Sequence, residues 1–314
     1  MQEMIKQIVK EEMYRSYKQY YFIAGLPRSG SSLISAILNQ NPKFYAGPNS
    51  PVLHLMTQME QSLSQDAFFN AYPKPGQAAL IIGSIINNWY RDVEQNVIFD
   101  KNSFWLNHIP YINGYIDQKP KIICPVRNVE EILASYMDMI NRTQLISTEG
   151  KLNMFDDILV KNNLPITNDN RCMLLANNGV FGQVFTSLKN AYERGEDEHL
   201  HIVEYENLIS DPKGTIEKIY EFIEQPYYEG HKFTDISTDI KEKDAEVYGF
   251  SDMHEVRSTI AKRNINIEEL LSEQIRTLCQ NQEFWRVSKE TSEETEENFD
   301  INNKDDETTE TNLI

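Results

Sequence analysis

The chain has 314 residues, 40% of them hydrophobic and 25% charged, with a formal net charge of −18. That length suffices for one large α/β domain, and the acidic balance argues against nucleic acid as the main partner, since affinity for a phosphate backbone comes mainly from Lys and Arg. From Glu290 to the end there are ten acidic residues and one lysine, a net of −9, so half of the total sits in a terminal run that is too poor in apolar surface to offset chain entropy. The expected organisation is one α/β domain over residues 1–286 followed by an acidic, disordered tail over 287–314. Cys124, Cys172 and Cys279 are too few and too widely spaced for a disulfide framework or a zinc site. The first residues carry charges throughout where a signal peptide needs an apolar core, and no apolar run approaches the roughly 18 residues of a membrane span. A soluble cytoplasmic protein is therefore expected.

In chain order, the spacing of apolar residues predicts a helix over 2–17, a strand over 20–25 and a helix over 31–40. A helical stretch over 51–95, a strand over 97–100, a helix over 105–116, a strand over 121–126 and a helix over 129–142 follow. A helix over 170–194, a strand over 200–204 and a helix over 212–224, opened by the capping Asp211 and by Pro212, complete the predicted core. This alternation implies a three-layer α/β/α fold with a mainly parallel central sheet.

The most informative segment joins the first strand to the next helix. Residues 20–24 are a β-prone run, while Leu33, Ile34, Ile37 and Leu38 stand at helical spacing. Between them Gly25 and Gly30 reproduce the G-x-x-x-x-G spacing of a phosphate-binding loop, which aims successive backbone N–H groups and the positive end of a helix at one point. Ser31-Ser32 stand where the triphosphatase loop needs Lys then Ser or Thr, so Arg28 is the side-chain cation of this loop. A second element has related logic. Pro125 ends the strand at 121–126, Arg127 follows at its carboxyl end where open α/β sheets bind ligands, and Ser135 lies about two turns into the next helix. A planar guanidinium suits a dianionic phosphate, and the serine hydroxyl can donate to the same group.

Leu26-Pro27-Arg28-Ser29-Gly30-Ser31-Ser32 resembles the 5′-phosphosulfate loop of sulfotransferases that use 3′-phosphoadenosine 5′-phosphosulfate (PAPS), in the version of the tyrosylprotein and related bacterial branches. Arg127 and Ser135 resemble the family's second phosphate element. Further similarity lies at Phe99-Asp100-Lys101-Asn102, at residues 201–208 and at residues 248–257, so the resemblance spans about residues 20–262 in the family's order. It implies a P-loop-like fold of sulfotransferase type and transfer of a sulfuryl group from PAPS to a hydroxyl acceptor by in-line displacement, releasing adenosine 3′,5′-bisphosphate (PAP). It also implies that Arg28, Ser29, Gly30, Ser31 and Ser32 bind the 5′ side, and that Arg127 and Ser135 bind the 3′-phosphate. Arg257 and Lys262 support them in a late closing loop, Tyr205 lies beside adenine, and Lys101 contacts the transferred group. No metal is implied.

The general base is less determined. The tyrosylprotein branch has a glutamate just after the first helix of the phosphate loop, whereas residues 45–51 here contain no carboxylate. Histidine is the side chain best suited to proton transfer near neutral pH, which makes His54 and His108 the candidates. The acceptor, a small molecule, a glycan or a tyrosine side chain, and the oligomeric state stay open. The alternatives are a P-loop nucleotide kinase or NTPase, disfavoured by Ser31 in the lysine position, and a non-catalytic PAPS- or PAP-binding protein.

Overall fold

The first strand, β1 (Gln19–Ile23), is buried from Tyr20 onward, as expected of a strand covered on both faces of a parallel sheet. It pairs in parallel with β3 (Val97–Lys101) on one side and with β4 (Ile122–Val126) on the other. The outer strands are β2 (Phe44–Asn49) and β5 (Leu200–Glu204), giving the all-parallel order β2-β3-β1-β4-β5. The computed structural model describes residues 18–144, 152–177, 179–238, 242–250 and 253–286. The helix expected over 2–17 and the acidic tail expected over 287–314 lie outside these residues.

Alternation along the strands builds two cores. Tyr20 and Phe22 face a cluster with Ile98, Ile122, Trp105 and Ile132, while Tyr21 and Ile23 face another with Phe99, Ile123, Ile34 and Ile219. Each fully buried aliphatic or aromatic side chain contributes about 1.5–3 kcal/mol, so the three layers of the α/β/α sandwich are held from both faces of the sheet. The first face carries α4 (Val129–Gln144) and the second carries α1 (Ser31–Leu38) and α9 (Pro212–Phe222).

Several elements differ from the sequence prediction. β2 contains Gly47 and Pro48, which obscure a strand in the sequence; an edge position tolerates the missing donor, and its register with β3 is irregular between Ala46 and Asn49. The stretch over 51–95 divides into α2 (Val52–Gln65), a short turn at Ala67–Ala71 capped by Asp66, and α3 (Pro75–Trp89). In place of one helix over 105–116 there is a 3₁₀ turn (Ser103–Asn107), a short helix (Ile109–Tyr111) and a π turn (Ile112–Ile116). The helix α5 (Met154–Lys161) was not predicted; Asn153 caps it by accepting from Phe155 N–H and Asp156 N–H. Next come α6 (Asn168–Asn177) and α7 (Val180–Glu193), where a single helix over 170–194 was predicted. A Cβ on Gly182 would lie 1.9 Å from Ala176 O, so these two helices approach closer than a side chain permits. Finally α8 (Tyr205–Ser210) follows β5 without a loop.

β1 lies at the centre, with the chain proceeding to β2 and β3 on one side and to β4 and β5 on the other. The strand order reverses there, and the crevice at the carboxyl ends of β3, β1 and β4 is the place where such sheets bind ligands.

Candidate active site at the strand ends

The loop after β1 is pressed onto β4. A Cβ on Gly25 would come within 2.2 Å of Pro125 O, and Leu26 N–H donates to that same carbonyl at 2.8 Å. Arg28 (φ 62°) and Gly30 (φ 89°) then turn the chain through the left-handed region into α1. Gly30 O accepts the first helical bond from Ile34 N–H at 3.0 Å, so the amides of Ser31, Ser32 and Leu33 have no acceptor within α1. They point from a helix N-terminus with no acidic residue in its first turn. Ser29 Oγ is fully buried without a hydrogen-bond partner, a donor held ready in a place where an unused one is costly. Amides, an unused hydroxyl and a helix dipole fit an anion such as a phosphosulfate.

Arg28 Nε donates to Ser135 Oγ at 3.2 Å and its Nη1 donates to Met253 O, which ties the loop to α4 and to the late segment. Arg127 is buried at the end of β4. Its Nη1 donates to Arg28 O at 3.2 Å, its Nε and Nη2 donate to Glu131 Oε2 at 3.0 and 2.9 Å, and its guanidinium lies 4.2 Å above the Tyr205 ring. Glu131 also accepts from Lys262 Nζ at 2.6 Å, and these two cations hold its carboxyl below the usual range against the opposing effect of its own burial.

Lys101 ends β3 with 4% exposure, its Nζ 3.3 Å from Ser32 Oγ and 3.4 Å from Glu242 Oε1. Burial lowers its pKa, and Glu242 only partly restores it. Its neighbour Asp100 is fully buried and accepts from Ser50 Oγ at 2.5 Å, Trp105 Nε1 at 2.7 Å and Tyr90 OH at 2.8 Å. Those bonds lower its pKa, yet burial prevails and raises it. Asp100 therefore anchors the strand end that presents Lys101.

These groups surround a cavity of about 1070 Å³ whose wall includes Arg28, Gly30, Ser31, Ser32, Arg127, Ser135, Tyr205 and Arg257. Ser29 lies between the lining residues Arg28 and Gly30, and Lys101 reaches the wall through Ser32 Oγ. Lys262 lines a smaller adjoining cavity of about 380 Å³ on the other side of Arg127. The two base candidates are not brought in: His54 is exposed on α2, and His108 is turned to Phe104 O (Nδ1 at 3.0 Å) and to the edge of Tyr111. Neither lines the cavity. Spacing along the chain suggested them because they lie near Ser50 and Lys101, but α2 and the 3₁₀ turn point them elsewhere.

One cluster is assembled only by the fold, although His254 lies in the segment 248–257 that resembles the family. His254 lines the cavity, its Nδ1 2.7 Å from Asp244 Oδ1 and 3.4 Å from Glu242 Oε2, and its Nε2 2.9 Å from Asn49 Nδ2. Asn49 comes from the edge strand and Lys101 reaches the same Glu242, so residues some two hundred positions apart meet here. The three acidic and imidazole groups lie within 4.8 Å of one another and are already hydrogen-bonded among themselves.

The sulfotransferase domain family matches over residues 18–290. The chain belongs to the sulfotransferase family. A search of the curated proteins finds no match. Among solved structures, a mouse sulfotransferase complexed with PAP shares 12% identity, with 88% of this chain and 89% of that one covered at a TM-score of 0.50. The sulfotransferase domain of the Synechococcus PCC 7002 olefin synthase shares 15%, with 84% and 96% covered at a TM-score of 0.45. At 12% identity the likeness to the mouse enzyme shows the fold alone. The family match makes the chain a PAPS-dependent sulfotransferase, and Ser31, where a triphosphatase has its lysine, accords with that family.

Proposed function

We propose that this sulfotransferase seats the phosphosulfate of PAPS on the amides of residues 29–33 with Arg28, Ser29 and Ser32, and the 3′-phosphate on Arg127, Ser135 and Arg257. One observation carries the reading: Arg127 donates to the backbone carbonyl of Arg28, so the two cations belong to a single wall of a single cavity. Lys262 acts through Glu131, the carboxylate it shares with Arg127. Tyr205 has one ring face under Arg127 and its edge against Gly30, so it supports the guanidinium and leaves its other edge for adenine. Lys101, beside Ser32, faces the sulfuryl group and the oxygen that gains charge as the sulfur–oxygen bond breaks. Its low-dielectric position makes that interaction strong. Glu242 holds Lys101 until the anion replaces it.

The acceptor is a small hydroxyl compound with an apolar body. Beyond the polar wall the cavity is bounded by Phe104, Met154, Phe155, Ile158, Leu164 and Leu174. A glycan placed there would leave many hydroxyls without partners, at about 1–3 kcal/mol each. Met154, Ile158 and Leu164 are also exposed, which makes the mouth of the cavity apolar. Among the described residues no helix is long and apolar enough to cross a membrane.

Thermal denaturation with PAP in the absence of magnesium tests the donor site: a rise in Tm that Mg-ATP does not reproduce is the expected result. Labelled PAPS offered with 1-octanol, 2-naphthol and glucose tests the acceptor. Transfer to glucose in preference to the two apolar compounds refutes the apolar-acceptor reading.

A further inference from the structure

We infer that His254 is the general base that takes the proton of the acceptor hydroxyl, that Asp244 positions it, and that Asn49 occupies its Nε2 until the acceptor arrives. The inference rests on the sulfotransferase reading above and deepens it. Among the described residues His254 is the one histidine on the cavity wall, and the wall includes Ser32, the partner of Lys101. Its ring is fixed on both sides. Nδ1 faces two carboxylates, Asp244 Oδ1 at 2.7 Å and Glu242 Oε2 at 3.4 Å, so Nδ1 carries the hydrogen. Nε2 faces Asn49 Nδ2 at 2.9 Å, and the same amide nitrogen lies 3.1 Å from Glu242 Oε2, where only a donor fits. Asn49 therefore donates to Nε2, which bears the lone pair. Asp244 is itself buried and fixed, accepting His254 N–H on its other oxygen at 2.8 Å.

A base oriented by a buried carboxylate is the arrangement that holds an imidazole in one tautomer and stabilises the imidazolium it becomes. The acceptor hydroxyl takes the place of the Asn49 amide at Nε2. As its oxygen bonds to sulfur, the bond from sulfur to the phosphate oxygen breaks and that electron pair leaves with PAP. The hydroxyl proton passes to Nε2, and the products are a sulfate monoester, PAP and imidazolium. The charged and titratable groups around the ring are Asp244, Glu242, Tyr248 and Glu255 on its own segment, with Lys101 beyond Glu242 and Arg28 bonded to Met253 O.

The decisive experiment uses the full chain and varies the acidity of the acceptor. In His254→Ala, transfer to 1-octanol is expected to fall on the order of 10²–10⁴-fold, the span of general-base catalysis. Transfer to 4-nitrophenol, which ionises without help, is expected to fall less than about 5-fold, because a base matters less as the nucleophile becomes more acidic. Asp244→Asn should reproduce that graded loss in weaker form with an unchanged KM for PAPS, whereas a purely structural role would reduce all acceptors alike. His254→Gln serves should the alanine variant fail to fold, and release of sulfate from PAPS to water supplies an acceptor that needs no specificity. Equal losses for 1-octanol and 4-nitrophenol, water hydrolysis unchanged in a folded variant, or the graded loss appearing in Glu242→Gln instead, each overturn the assignment. Absence of any Tm rise with PAP in the unmodified chain refutes the donor site itself, and a rise with PAP alongside failure of the graded loss refutes the base alone.

Discussion

Two regions supply the site, and they are built differently. The strand-end region, comprising the β1 loop, Lys101 on β3 and Arg127 on β4, is buried and registered by the parallel ladder, with Gly25 packed against Pro125 and Asp100 holding the end of β3 through its buried bonds. Among its described residues the late region over 242–250 and 253–265 has little regular structure, a short helix at Asp244–Val247 and an isolated bridge from Thr259 to Thr234, yet it contributes His254 and Arg257 to the cavity and Glu242 to Lys101. Both the ion pair from Lys101 to Glu242 and the one from Lys262 to Glu131 link the two regions. In the proposed reading most of the charge that meets the anion is mounted at strand ends, while the late segment adds Arg257 at the 3′-phosphate and His254 at the acceptor.

The largest expected effect that sharpens this contrast is on turnover. Lys101→Met should lower transfer on the order of 10²–10³-fold by removing charge stabilisation in a dry site. Tm should not fall, because the buried ammonium is itself a cost to the free protein. Its depressed pKa has a signed consequence. Between the folded and unfolded values the unfolded chain binds more protons, so the Lys101 contribution to stability rises as pH rises through that window, and Lys101→Met should remove the rise. Denaturant titrations of both proteins across alkaline pH check it.

Next, Gly25→Ala should separate the β1 loop from β4. A Cβ would fall 2.2 Å from a backbone carbonyl, so about 2–4 kcal/mol of stability and most of the PAP-induced Tm shift are expected to go. Wild-type Tm with a normal PAP shift would show that the contact does not set the loop. Arg127→Lys should weaken PAP about 10–100-fold, since an ammonium cannot reproduce the forked geometry, with kcat at saturating PAPS changed far less. Equilibrium titration with PAP measures it. The smallest effect is expected for Tyr205→Leu, about 3–10-fold in PAP affinity through loss of the ring beneath Arg127. A loss as large as that of Arg127→Lys would mean that the contact of the ring with adenine outweighs its support of Arg127.

Much of the strand-end region was legible in the sequence. The β-prone run before Gly25, the helical spacing after Ser32, Pro125 before Arg127 and the Asp211-Pro212 helix start are local signals, and the elements they predict stand within a few residues of the expected places. β2 was hidden by Gly47 and Pro48, since strandness at an edge comes from pairing with β3 and not from propensity. The helix α5 was missed although Asn153 caps it. His54 and His108 show the limit of proximity along the chain, because helix phase decides the direction of a side chain.

By itself, then, the sequence determined the layered α/β architecture, the glycine-turned loop after β1 and the strand-end places of Arg28 and Arg127, all of which follow from periodicity and turn chemistry within short windows. Only the tertiary structure decided which carboxylates hold those cations, which histidine reaches the cavity and how apolar its mouth is. Such pairings join Asn49 to His254 and Glu131 to Lys262, and they arise from the packing of distant segments, for which a linear chain carries no local periodicity.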